Sequence, residues 1–208
     1  MADSTKKPAT RRPAELILAS ASPRRSALLE KVGVRCQVIP SDTDEVLIAE
    51  ETAEAHAVRL SRDKALEVAR RQPVTGRWFI GSDTIVVLDG AILGKPADAA
   101  AARSMLNSLS GRRHRVISGY AVHDRVSGRT ISDAVVTKVF FKDLTSREIE
   151  GYIATGEPFD KAGAYAIQGI GAFMVPRIEG SYTNVVGLPL CEVIAALEEL
   201  GAIELFTG

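Results

Sequence analysis

The chain has 208 residues, 46% of them hydrophobic and 25% charged, near the averages for soluble globular proteins and enough for one large domain or two packed lobes. Disordered, collagen-like and disulfide-scaffold classes are thereby excluded. Lys plus Arg and Asp plus Glu number 26 each, so no global basic field exists to hold a nucleic acid by counterion release, although a local basic cluster can still bind a small anion.

Residues 1–15 carry Lys6, Lys7, Arg11 and Arg12 beside Pro8 and Pro13 and read as a solvated, disordered basic tail without the apolar core of a secretory signal. Leu16 to Ala19 is a short apolar run. It is followed by the polar turn Ser20-Ala21-Ser22 and by Leu28, Leu29 and Val32 at helical spacing. Strand, loop and helix are expected, with Ser22 as N-cap, Pro23 in the first helical position and Gly33 as the stop. Gln37 to Ile39 reads as a second strand, Ser41 to Glu45 as an acidic loop, and Thr52 to Arg70 as a helix. Trp78 to Gly90 holds two apolar runs around Gly81-Ser82-Asp83-Thr84, so Asp83 is expected to interrupt a strand. Asp98 to Leu109 reads as a helix, Val116 to Val122 and Thr130 to Phe141 as strands, and Thr145 opens a capped helix to about Thr155. The glycine-rich stretch Pro158 to Gly187 reads as loops with short elements, and Pro189 to Leu200 as a closing helix.

No apolar stretch approaches the roughly 18 residues of a membrane span. Cys36 and Cys191 have no metal or redox spacing. Together these predict a cytoplasmic protein with no membrane partner and no nucleic-acid partner.

Three groups of residues are able to carry chemistry. The Ser20 to Arg25 turn offers hydroxyls, the N–H groups of a helix N-terminus and two guanidiniums, an anion site in outline; the alternative is an ordinary capped helix with surface arginines. Asp83 between Ile80 and Ile85 is costly to bury unless paired, protonated or bound to a cation, and Mg²⁺ favours a few carboxylates together with substrate phosphates; the alternative is a turn residue bonding its own backbone. Lys64, Lys95, the Asp160-Lys161 pair and Gln168 are scattered polar groups, none diagnostic alone. His56, His114 and His123 lack metal-like spacing, and no P-loop, GxGxxG, GxSxG or HExxH occurs.

Taken together, SASPRRSALLEKVGV from Ser20, SDTDE from Ser41, RLSRDKA from Arg59, GSDTIVVLDGAILGKP from Gly81, LSGRRHRVISG from Leu109, and DKAGAYAIQGIGAFMV from Asp160 followed by EGSYTNVVGLPL resemble the Maf family of nucleoside triphosphate pyrophosphatases. The resemblance runs from about Leu16 to Leu200. It implies an α/β fold like that of inosine triphosphate pyrophosphatases: a long mixed sheet, helices around it, and a cleft between two lobes of one domain over residues 16–208. The activity it implies is cleavage of a nucleoside triphosphate between the α- and β-phosphates with a divalent cation, Mg²⁺ or Mn²⁺, and a homodimer is compatible with it.

Residue by residue, the resemblance makes Asp83 the catalytic proton acceptor. It places Ser20, Arg25, Lys64 and Lys95 around the phosphates and Glu45 with Asp83 near the metal. Arg24, Thr84 and Gln168 fall on three specificity positions and resemble the subgroup acting on dTTP and UTP, whereas the subgroup acting on 7-methyl-GTP tends to have Trp, Gln and Glu there. A competing expectation is a nucleotide-binding regulator, since relatives have been linked to septum formation and cell-division arrest.

Overall fold

The computed structural model describes residues 15–206; apart from Glu15, the tail expected over residues 1–15 lies outside them. Strand β1 (Leu16–Leu18) leads into helix α1 (Pro23–Lys31), β2 (Gln37–Val38) and the long helix α2 (Ala53–Arg70). Then come β3 (Trp78–Leu88), β4 (Ala91–Leu93), α3 (Ala99–Leu109), β5 (Arg113–Asp124), β6 (Thr130–Phe140) and α4 (Ser146–Ala154). Three short 3₁₀ turns between Glu157 and Met174 lead to β7 (Arg177–Glu179), α5 (Tyr182–Val186) and α6 (Leu190–Glu199).

The helix boundaries follow their local chemistry. Pro23 fills the first position of α1, and Gly33 adopts φ 79° just past its end, where a residue without Cβ avoids left-handed strain. Thr52 and Asp98 cap α2 and α3 by accepting from the N–H groups of Ala55 and Ala101. Thr145 and Glu148 close the predicted capping box on α4.

Seven strands form one mixed sheet in the order β2-β1-β3-β5-β6-β7, with β4 also pairing β3. β1 runs parallel to β2 and β3, and the remaining pairs are antiparallel. β3 is one continuous strand, contrary to the expected interruption at Asp83. Its far side pairs with β5 from Trp78 to Val87, while its near edge is taken by β1 at Trp78–Ile80 and by β4 at Val86–Leu88. Among the described residues, Gly81 to Ile85 has no strand on that edge. The polar interruption is therefore a gap in edge pairing, and Asp83 sits in it.

One face of the sheet is covered by α2, whose Ala57, Ala65, Val68 and Ala69 pack on Phe79, Ile85, Val87 and Ile117. Gly81 and Gly119 make that approach possible: a Cβ on either would lie about 2 Å from a carbonyl oxygen of α2, that of Ser61 or Ala57. Glycine inside a strand here marks the close passage of another backbone. The opposite face carries two separate apolar clusters. One joins α1, α5 and α6 to Trp78, Ile80, Tyr120 and Val122; the other joins α3, α4 and the 3₁₀ turns to Val86, Leu88, Val116 and Phe141. Between them β3 shows Ser82 and Thr84, and a cleft opens along this polar seam.

Within the second cluster His114 is 3% exposed, its Nε2 2.7 Å from the Tyr165 hydroxyl and its ring edge-on to Phe141 and Tyr165. Burial pushes its imidazole down to about 4, below the value near 6.5 of an unfolded chain. The unfolded state therefore binds the proton first. Stability from this group is complete above about pH 6.5 and is lost as pH falls toward 4, at up to ~1.4 kcal/mol per pH unit. Urea denaturation at pH 7 and pH 5 should show this loss, and His114→Phe should remove it; an unchanged pH dependence in the variant would contradict the assignment.

Candidate active site

The cleft has a volume of about 390 Å³, within the range of small-molecule sites. Every residue singled out from the sequence lines it: Ser20, Arg24, Arg25, Glu45, Lys64, Asp83, Thr84, Lys95 and Gln168. They come from the β1–α1 turn, the first turn of α1, the acidic loop, α2, β3, the turn after β4 and the segment between the second and third 3₁₀ turns.

Asp83 is 5% exposed and Lys64 8%. Asp83 points to the α2 face of β3, directly opposite Gly119 in the ladder, so the two glycines that admit α2 also bring Lys64 to it. Lys64 Nζ donates to Asp83 Oδ1 at 2.7 Å and to Glu45 Oε1 at 2.6 Å. One ammonium thus holds two carboxylates. The second oxygen of each has no hydrogen-bond partner among the described residues. Burial pushes the Glu45 carboxyl up, but the hydrogen bond and charge of Lys64, with the charges of Lys95 and Arg25, outweigh it and leave it below its ordinary value.

Arg25 lies on the other side of β3. Its Nε donates to the Gly187 carbonyl at 2.7 Å, Nη1 to Ser20 Oγ at 2.8 Å and Nη2 to Thr84 Oγ1 at 3.1 Å. Ser22 caps α1 only by its backbone position; its N–H donates to Ser20 Oγ at 3.2 Å, so Ser20 ties the turn together. Burial pulls the guanidinium below its ordinary pKa, with Asp83 opposing, yet an arginine stays protonated. All three of its acceptors are neutral, and no carboxylate forms an ion pair with it among the described residues. A fixed cation with no carboxylate at ion-pair distance among the described residues is an invitation to an anion.

Lys95 is exposed at the cleft wall and has no hydrogen bond or ion pair among the described residues. Arg24 lies 3.6 Å from Asp160, which also pairs with Lys161. Lys161 lines the cleft as a fifth cation; its side chain is only 12% exposed, a placement that the Asp160-Lys161 dipeptide did not disclose. Gln168 is half-buried in the wall with no hydrogen bond to its amide among the described residues. No group of three or more His, Cys, Asp or Glu able to hold a metal occurs among the described residues. Glu45 and Asp83 are therefore a two-carboxylate set, which suits a cation that completes its shell with substrate oxygens and water.

Five cations and three carboxylates around one slot define an α/β protein whose cleft is charged to suit a small polyanion beside a buried carboxylate. The chain belongs to the Maf-like protein family, whose family model matches residues 15–200. It is 66% identical over 193 residues to a dTTP/UTP pyrophosphatase of Syntrophotalea carbinolica, covering 93% of this chain and 88% of that one. It is also 59% identical over 189 residues to a dTTP/UTP pyrophosphatase of Geotalea uraniireducens, covering 91% and 96%. A solved nucleoside-triphosphatase of Mycobacterium abscessus, titled dITP/XTP pyrophosphatase, overlaps 89% of this chain and 93% of its own at TM-score 0.40 and 17% identity, a distance at which nothing about the site follows. No helix among the described residues is long and apolar enough to cross a membrane.

Proposed function

We propose that the protein hydrolyses dTTP and UTP to the nucleoside monophosphate and pyrophosphate. The observation that carries this reading is the Arg25 guanidinium, held by three neutral acceptors at the mouth of α1 with no carboxylate at ion-pair distance among the described residues, across β3 from the buried Asp83–Lys64 pair. The relatives described above supply the substrate names.

The triphosphate lies along the cleft with its oxygens on Arg25, the N–H groups at the start of α1, Lys95 and Lys161. Asp83, held by Lys64 through Oδ1, uses Oδ2 to orient a water and accept its proton as that water attacks the α-phosphorus. The bond from the α-phosphorus to the bridging oxygen breaks, and the charge passing to the departing pyrophosphate is met by cations already in place. Preorganised charge of this kind is the main catalytic resource in phosphoryl transfer. Glu45 and Asp83 are the residues that would hold a Mg²⁺ or Mn²⁺ ion, which when bound neutralises phosphate oxygens and acidifies water.

Gln168 is the candidate for reading the base. Its free amide offers a donor and an acceptor together, a match for the adjoining carbonyl and N–H of a uracil-type ring. Gln168→Glu is expected to lower kcat/KM for dTTP by about tenfold, because an acceptor-only side chain leaves a ring carbonyl unpaired. An unchanged ratio of dTTP to CTP turnover would remove this role.

The test of the activity is a panel of canonical and modified nucleoside triphosphates with Mg²⁺ or Mn²⁺, scored for pyrophosphate against orthophosphate. Pyrophosphate released preferentially from dTTP and UTP supports the reading. Binding without turnover of any nucleotide would overturn it in favour of a regulator.

A further inference from the structure

Thr84 has little hydroxyl capacity left for a ligand. Its Oγ1 accepts from Arg25 Nη2 at 3.1 Å, lies 2.8 Å from Ser118 Oγ, and has the Gly187 carbonyl at 3.2 Å. Ser118, on β5 and 0% exposed, is the residue directly opposite Thr84 in the ladder, and its hydroxyl oxygen lies 3.0 Å from the Asn184 carbonyl of α5. Asn184, also fully buried, is fixed in turn by donating to the Val116 carbonyl at 3.1 Å and to Thr137 Oγ1 at 2.9 Å.

Each hydroxyl has one proton, and counting them leaves two consistent arrangements, both of which keep a Thr84 lone pair for Arg25. Ser118 Oγ faces the Asn184 carbonyl and Thr84 Oγ1 faces the Gly187 carbonyl, so whichever hydroxyl accepts across the short Thr84–Ser118 contact donates its own proton to its carbonyl. Thr84 then presents a lone pair to Arg25. Hydrogen bonds aligned head to tail strengthen one another in a dry interior, and this chain starts on the cation that faces the cleft and ends on backbone.

We propose that Ser118 is a positioning residue for anion binding: through Thr84 it holds the Arg25 guanidinium in the orientation that grips phosphate. The inference deepens the pyrophosphatase reading and rests on it for the identity of the anion. It also recasts Thr84, which reaches the substrate through Arg25. Without the Ser118 hydroxyl, Thr84 Oγ1 keeps only the Gly187 carbonyl at 3.2 Å as a partner besides Arg25, a carbonyl that also accepts from Arg25 Nε and from Ser82, and the third anchor of Arg25 is no longer fixed from β5.

The experiment is a double-mutant cycle read by calorimetric binding of inorganic pyrophosphate and by steady-state hydrolysis of dTTP. Ser118→Ala is expected to weaken pyrophosphate binding about fivefold, the size of one intramolecular hydrogen bond, and to raise KM for dTTP while kcat stays within about twofold. In an Arg25→Lys background, where no third nitrogen reaches Thr84, the same substitution should be nearly silent. Thr84→Val should repeat both results, which guards against a packing effect peculiar to position 118. Equal losses in both backgrounds are the signature of a general structural role, and would overturn the inference while leaving the pyrophosphatase reading intact. A fall in kcat with unchanged KM would overturn it as well. Failure of the wild-type protein to bind pyrophosphate would overturn both.

Discussion

Asp83→Asn is expected to fold normally and to lose two or more decades of turnover, the usual cost of removing a positioned acid–base group. The amide keeps an acceptor for Lys64 at the position of Oδ1, so the tie between β3 and α2 survives. It has no charge and no basicity with which to take a proton from water. Single-turnover hydrolysis of dTTP, with circular dichroism to confirm the fold, checks this. Turnover within about threefold of wild type would move the proton-accepting role away from Asp83.

Lys64→Ala carries the second large effect, and it should appear in activity and in stability together. The ammonium is 2.7 Å from Asp83 and 2.6 Å from Glu45, and its removal leaves a buried carboxylate with no cation. Breaking one half of a buried pair typically costs 3–5 kcal/mol. A loss of ~3 kcal/mol in urea denaturation is expected because the cleft admits some water, with kcat/KM down by at least about a hundredfold as Asp83 loses its fixed orientation and the cleft loses a cation. Glu45→Gln separates the two effects. Glu45 is 54% exposed and the Lys64–Asp83 contact survives in that variant, so stability should change little. Wild-type stability in Lys64→Ala would show that the pair is not holding the buried carboxylate.

Helix ends were the most legible part of the fold, because their chemistry is local: Pro23 at the first turn of α1, Gly33 beyond it, and the Thr145 and Glu148 capping box each act within a few residues. β3 was read less well. A polar tetrad between apolar runs looks like an interruption, yet backbone pairing with β5 is indifferent to side-chain polarity. The polarity instead reports which stretch of the strand edge is left open between β1 and β4. Gly81 and Gly119 carry a related message, since nothing near them in sequence reveals that α2 passes within contact of both.

The site was legible mainly through the resemblance. Spacing alone left Asp83 balanced between a turn residue and a catalytic acid, because its partner Lys64 lies 19 positions away on another element. Lys161 was visible only as one half of an acidic–basic pair, and its low exposure comes from the 3₁₀ turns folding it toward the cleft. Ser118 and Asn184 were missed altogether. The available signal was weak but physical: Ser82, Thr84, Ser118 and Thr137 are hydroxyls on otherwise apolar strands, and a buried hydroxyl needs a partner. What could not be read was that Thr84 meets Arg25 and Ser118, that Ser118 and Thr137 meet Asn184 of α5, and that Ser82 meets the Gly187 carbonyl just beyond it.

In the proposed reaction water attacks the α-phosphorus under Asp83, and isotope transfer tests that most directly. Hydrolysis of dTTP in ¹⁸O-enriched water, with both products analysed by mass spectrometry, is predicted to place one ¹⁸O in the monophosphate and none in the pyrophosphate. Label in the pyrophosphate would put the attack on the β-phosphorus, and release of orthophosphate would put it on the γ-phosphorus. Either result would contradict the alignment of substrate, carboxylate and cations described here.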